Sequence, residues 1–298
     1  MRRSTRDARG WPAPLRSLAT ILVAAAMIAP GPAAAQGAKA PALDESTTHA
    51  TPLARAAPAG GESAAPADDR TFRPTVLIRR GSSQGSGTVI ASTAAETLVL
   101  TAAHVIRAEG PILVELHRYN LGLERADGGT WPLIVPASVA AVDVSGDVAL
   151  LQLRKTPPLP YVARLYQADV EDLGRDTLVT SLGVDLGNRL TSWRTKIVDT
   201  AKLQIREGAS AKPFLITLKT PEHGRSGGGL YDSQDRLVGV CVGHAEMIEG
   251  RRMGVFASIE SIRRLLKDRD RAPARREARR KAPAAGLEAR AARGRSAS

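Results

Sequence analysis

The chain has 298 residues, 43% hydrophobic but only 3% aromatic, a formal charge of +12 at pH 7, and one cysteine, Cys241. Its length suits one large or two small domains, its core has to come from Val, Leu, Ile and Ala, and an intramolecular disulfide is excluded. The charge sits at the ends: residues 1–35 carry five Arg and one Asp, and Lys267 to Ser298 carry eleven Lys/Arg and four Asp/Glu, which leaves 36–266 near +1.

Residues 1–35 read as an export signal. Arg2, Arg3, Arg6, Arg9 and Arg16 precede an uncharged apolar stretch, Leu18 to Ile28, then Pro30 and Ala33-Ala34-Ala35. A basic region, an apolar region and a small-residue site in that order predict cleavage after Ala35 and a periplasmic or secreted protein. The apolar run is shorter than the about 20 residues that span a bilayer, so an uncleaved anchor is the lesser reading. Residues 36–71, rich in Ala, Pro, Gly, Ser and Thr, are expected to form a solvated linker.

Strand-like runs follow at Pro74–Ile78, Gly87–Ala91, Thr97–Thr101, Ile112–His117, Leu133–Val144 and Val148–Leu153. A bridge with three prolines at 157, 158 and 160 separates them from a second set at Thr177–Leu182, Thr195–Ile205, Phe214–Leu218, Arg236–Val242 and Gly254–Ser258. Val and Ile at these positions favour strands. Ile259, Ile262, Leu265 and Leu266 then recur at helical spacing, predicting a helix over 258–266. The remainder, 267–298, is expected to be a basic disordered tail broken by Pro273 and Pro283.

Three short motifs carry chemistry: Thr101-Ala102-Ala103-His104, Asp147-Val148-Ala149-Leu150-Leu151 and Gly224-Arg225-Ser226-Gly227-Gly228. Alone, each has a plain structural reading: a partly buried imidazole, the start of a buried strand, a glycine turn. Together, in the order His, Asp, Ser, they resemble the chymotrypsin-fold (trypsin-like) serine peptidases, closest to the HtrA-like bacterial branch. Subtilisins and α/β-hydrolases thread the same groups in other orders.

The resemblance spans roughly residues 72–266 and implies an all-β fold. Two packed six-stranded antiparallel barrels, 72–154 and 175–258, are expected to meet at a cleft, followed by the terminal helix. It implies a His104–Asp147–Ser226 triad and an oxyanion hole from the N–H groups of Gly224 and Ser226. Thr220, six residues before the serine, corresponds to the base of the specificity pocket and is uncharged. Val242, Gly243 and His244 correspond to the strand edge that pairs with substrate, and Gly254 to a pocket-wall glycine. The other histidines, His49, His117, His223 and His244, lack the motif context of His104, and Asp143 has no apolar run immediately behind it, so Asp147 is preferred. Arg225 stands where animal trypsins carry an aspartate and reads as an exposed loop charge. Cys241, between two valines, reads as a buried strand residue rather than a catalytic thiol.

The function expected from these residues is an exported serine endopeptidase acting on protein or peptide substrates, with no cofactor or metal. A catalytically weak pseudoprotease or binding module using the inter-barrel cleft is one alternative. Polyanion binding through the basic tail, including docking on an anionic envelope surface, is another. No specific nucleic-acid partner is expected, because the basic tail lacks interleaved aromatics. About thirty residues follow the expected helix, too few for a PDZ domain, so trimeric assembly and PDZ regulation are not carried over.

Overall fold

Two runs in this sequence, TLVLTA and VALLQL, are apolar at nearly every position rather than at alternate ones, which is the pattern of strands covered on both faces. The computed structural model describes residues 69–123, 130–154, 156–187, 189–246 and 250–281. The expected export segment, nearly all of the expected linker and the tail beyond residue 281 lie outside the described residues.

The first barrel consists of β1 (Thr75–Arg80), β2 (Ser83–Ser92), β3 (Thr97–Ala102), β4 (Ile112–Leu116), β5 (Leu133–Asp143) and β6 (Val148–Leu153). They close antiparallel in the order β1-β2-β3-β6-β5-β4. Val76, Ile78, Val89, Val99, Val114, Leu151 and Leu153 fill its interior with no exposed surface. Successive side chains on a strand point to opposite faces. On β3 and β6 the other face is therefore apolar too: Leu98, Leu100, Val148 and Leu150 pack into the core of the second barrel. These two strands are the seam of the molecule.

The second barrel contains β8 (Leu178–Asp185), β9 (Arg189–Leu203), β10 (Lys212–Thr217), β11 (Gly229–Tyr231), β12 (Arg236–Glu246) and β13 (Arg252–Ser258), preceded by β7 (Arg164–Leu165). The sheet runs β11-β8-β9-β10-β13-β12, and β11 also pairs with β12, so the ring of six closes. The chain thus folds as the two expected six-stranded antiparallel barrels. The two-residue β7 adds a parallel partner beside β12. Strands as short as β7 and β11 carry too few side chains to show a period in the sequence.

The terminal helix departs from expectation. It runs from Ile259 to Lys281, well past the expected end at residue 266, and its backbone continues through Pro273. The segment 267–281, expected as disordered tail, is therefore helical. Its Ala, Arg, Glu and Lys content favours helix, and a proline forgoes only its own N–H bond while straining one turn. Ile259, Ile262 and Leu265 are buried, and the helix touches β5 and β6 of one barrel and β10, β12 and β13 of the other. Arg263 donates to the carbonyls of Tyr166 (2.8 Å) and Ala168 (2.7 Å). Arg269 pairs with Glu96 in the β2–β3 turn.

The Arg269 guanidinium is the main reason the Glu96 carboxyl is held below its ordinary value. A depressed carboxylate stabilises the fold above its unfolded value and loses that contribution as pH falls through the folded one. The pair is partly exposed, so Arg269→Ala is expected to cost at most about 1 kcal/mol at neutral pH. Denaturant melts at stepwise lower pH should show the gap between wild type and variant closing as Glu96 protonates. A gap that persists in acid would show that Arg269 acts through packing alone.

Candidate active site

β3 ends in a 3-10 turn, Ala103–Ile106, that puts His104 at the mouth of the first barrel. The opposing turn between β5 and β6 carries Asp147 in the left-handed region, at φ 51°, a conformation aspartate tolerates better than most residues. The two turns are stitched together three times. Ala103 N–H donates to the Asp147 carbonyl at 3.0 Å, His104 N–H to Asp147 Oδ1 at 2.9 Å, and the ring Nδ1 lies 2.6 Å from Asp147 Oδ2. Asp147 is 2% exposed, and Arg107, one turn on from His104, brings its guanidinium to 3.8 Å from Oδ1. Asp143 does other work: it accepts from Ser145 and Gly146 N–H and faces Lys212 at 3.5 Å.

Ser226 comes from the second barrel, on the loop between β10 and β11. Gly224 (φ 89°) and Gly227 (φ 88°) bracket it in the left-handed region, where a side chain would be strained. The loop's carbonyls are tied to both barrels. Ser86 of β2 donates its N–H to the Ser226 carbonyl (2.7 Å) and its hydroxyl to the Gly224 carbonyl (2.8 Å). On the other side, Gly227 N–H donates to the Cys241 carbonyl and Cys241 N–H to the Gly228 carbonyl, each at 2.8 Å. The N–H groups of Gly224 and Ser226 have no acceptor among the described residues.

His104 and Ser226 line one cleft of about 630 Å³, together with Thr220, Gly224, Val242, Gly243 and His244. They do not hydrogen-bond to each other: Ser226 Oγ donates to the Val242 carbonyl at 3.4 Å. The sequence pattern of the trypsin-like peptidase domain matches residues 85–240, a span that contains all three of His104, Asp147 and Ser226. The chain belongs to the trypsin-like peptidase family.

Solved structures agree on the fold. An inactive mutant form of Rv3671c from M. tuberculosis H37Rv is 23% identical, with 70% of this chain and 94% of that chain covered at a TM-score of 0.52. A serine endoprotease from Yersinia pestis is 21% identical over 71% of this chain and 68% of that one, TM-score 0.54. The MamO protease domain from Magnetospirillum magneticum is 19% identical over 64% and 94%, TM-score 0.50. No curated protein sequence matches the chain.

Several residues of this trypsin-like peptidase sit differently from their sequence reading. Arg225 is not an exposed charge but wholly buried, because Asp185, Ser181 and Thr191 supply acceptors for its guanidinium. Gly254 is buried outside the cleft lining. A Cβ there would lie 2.4 Å from Thr217 Oγ1 and 2.6 Å from the Lys219 carbonyl, so the segment leading to Thr220 leaves no room for a side chain. Thr220 spends its hydroxyl on the Arg252 carbonyl at 3.0 Å. Ser86, Arg107, Glu222 and Arg252 belong to the site's surroundings without having been singled out in the sequence. Ser86 had a signal, the flanking Gly85 and Gly87, and Arg107 had its place three residues after His104. Arg252 had none. At the far wall, burial and the Arg252 and His223 charges push the His244 imidazole below its ordinary value, which favours its neutral form.

Cys241 lies behind the loop with no exposed surface, and burial pushes its thiol up to about 12. Thiol chemistry needs the thiolate, so this cysteine is inert where the serine loop needs only its backbone. We expect no alkylation of the folded protein by iodoacetamide at neutral pH and full alkylation after unfolding in guanidinium. Rapid native alkylation, followed by mass spectrometry, would contradict this packing.

Proposed function

We propose that the protein is an exported serine endopeptidase working through His104, Asp147 and Ser226. The observation that carries this reading is the 2.6 Å His104–Asp147 pair on one cleft with Ser226 and two unbonded N–H groups. A serine hydroxyl is a weak nucleophile, so a neutral imidazole has to take its proton as it attacks. Asp147 holds Nδ1 protonated, which leaves Nε2 as the base, and it stabilises the imidazolium that forms.

In the reaction, Ser226 Oγ leaves the Val242 carbonyl, rotates to His104 Nε2 and bonds to the substrate carbonyl carbon as its proton passes to Nε2. The carbonyl oxygen becomes an oxyanion received by the Gly224 and Ser226 N–H groups. One such donor is worth about 2.7–4 kcal/mol of barrier. His104 returns the proton to the leaving nitrogen as the C–N bond breaks. Water then attacks the acyl-enzyme, giving its proton to His104, and the carboxylate product departs with Ser226 reprotonated.

Thr220 offers no charge at the pocket base, and Arg252 adds a cation at the cleft, which together support cleavage after uncharged side chains. The basic, apolar and small-residue pattern of residues 1–35 supports export. A second reading, a cleft that binds without turnover, is favoured by one observation: Ser226 Oγ is bonded to Val242 rather than to His104.

One experiment addresses both activity and preference. The purified protein, with single and double alanine variants at 104, 147 and 226, is profiled on a mixed peptide library. We expect wild-type cleavage after uncharged residues. Each single variant should lose about 10⁴-fold or more in kcat, with doubles little worse than singles because the three act as one unit. Multiplying losses in the doubles would contradict a shared unit, dominant cleavage after Lys or Arg would sink the pocket reading, and an inactive wild type would favour the binding module.

A further inference from the structure

The residue beside the nucleophile is a buried arginine, and every donor it owns is occupied. Arg225 Nε and Nη2 grip the two Asp185 oxygens at 2.9 and 2.8 Å, Nη2 also reaches Thr191 Oγ1, and Nη1 bonds the Ser181 carbonyl (3.1 Å) and hydroxyl (3.2 Å). The Trp193 ring stacks 4.9 Å away. The stem passes so close to β8 that a Cβ on Gly183 would sit 2.8 Å from Arg225 Cγ. All of these partners lie on the β8–β9 hairpin.

That hairpin holds the serine loop at a second point. At its tip Leu186 N–H donates to the His223 carbonyl at 2.7 Å. A trans peptide is planar, so fixing one carbonyl turns the N–H of the same unit the opposite way. The His223 carbonyl is taken by Leu186, which turns the Gly224 N–H away from the hairpin. The Arg225 carbonyl is taken by Gly228 N–H at 2.8 Å, which likewise directs the Ser226 N–H. Arg225 supplies the carbonyl of the second unit and is separated from the first by a single peptide, the one between Gly224 and itself.

We propose that Arg225 is a positioning residue: clamped by Asp185 of the hairpin, it sets the orientation of the Gly224 and Ser226 N–H groups. The consequence for catalysis rests on the hydrolase reading above; the consequence for loop conformation does not. Stability alone is a poor reason for such a pair. Replacing a buried ion pair by apolar residues is often neutral or stabilising, whereas removing one partner strands the other. Here both charges are internal to the second barrel.

The test separates positioning from support. Arg225→Met should lower the melting temperature by stranding Asp185. Arg225→Met/Asp185→Leu removes both charges and should melt near wild type. Arg225→Lys keeps the charge without the planar fork and serves if the double variant folds poorly. In the double variant we expect kcat to fall about 10²–10³-fold with KM within about threefold. Amide exchange at residues 222–228 should accelerate while β10 and β13 are unchanged. The lysine variant should show the same pattern, weaker. Wild-type kcat and exchange in a stable variant would overturn the inference. If the wild type itself hydrolyses nothing, exchange alone decides: acceleration over 222–228 upholds the clamp while the hydrolase reading falls, and unchanged exchange removes the clamp as well.

Discussion

Ser86 is where the two barrels are fastened at the point that matters. Its N–H and hydroxyl hold the carbonyls of Ser226 and Gly224, its hydroxyl also accepts from Val184 N–H at 2.7 Å, and its own carbonyl accepts from Thr101 Oγ1 at 2.7 Å. One fully buried side chain on β2 of the first barrel thus reaches the Ser226 loop and β8 of the second. His104 and Asp147 belong to the first barrel and Ser226 to the second, so their common cleft depends on a fixed relation between the barrels. The apolar outer faces of β3 and β6 bring the barrels together without direction, as hydrophobic burial does. Ser86 adds the direction.

The loop is therefore restrained from three sides, with different chemistry on each. From the first barrel come neutral hydrogen bonds to carbonyls, and from the β8–β9 hairpin comes a charged clamp through Arg225 together with the Leu186 N–H. Backbone of Cys241 closes the third side. Among the described residues, the N–H groups at 224 and 226 and the second ring nitrogen of His104 are left without a hydrogen-bond partner, and all three border the cleft. Preorganised donors of this kind stabilise developing charge without having to reorganise during reaction.

Much of this was readable in the sequence because it is local. The three motifs lie within stretches of five residues or fewer, and continuous apolar runs such as Val148–Leu151 announce strands buried on both faces. The clamp was unreadable because it is not local: Arg225 and Asp185 are separated by 40 residues, and an arginine in a glycine-rich loop has the look of a solvated charge until its acceptors are known. At Gly254 the sequence does not show what demands the glycine, since a neighbour's backbone, here the Lys219 carbonyl, can require one as well as a ligand can. The terminal helix ran long because alanine and charged residues suit helix and tail alike. Arg269 meeting Glu96 is a contact between distant parts of the chain.

The most direct measurement is the site of covalent capture by a fluorophosphonate probe, located by peptide mapping and mass spectrometry on the intact, folded protein. A single adduct is expected, on Ser226, with labelling lost in His104→Ala although the serine and the buried Cys241 are both still present. Labelling of another residue, or equal labelling of Ser226 in His104→Ala, would contradict the claim that His104 activates this serine across the inter-barrel cleft.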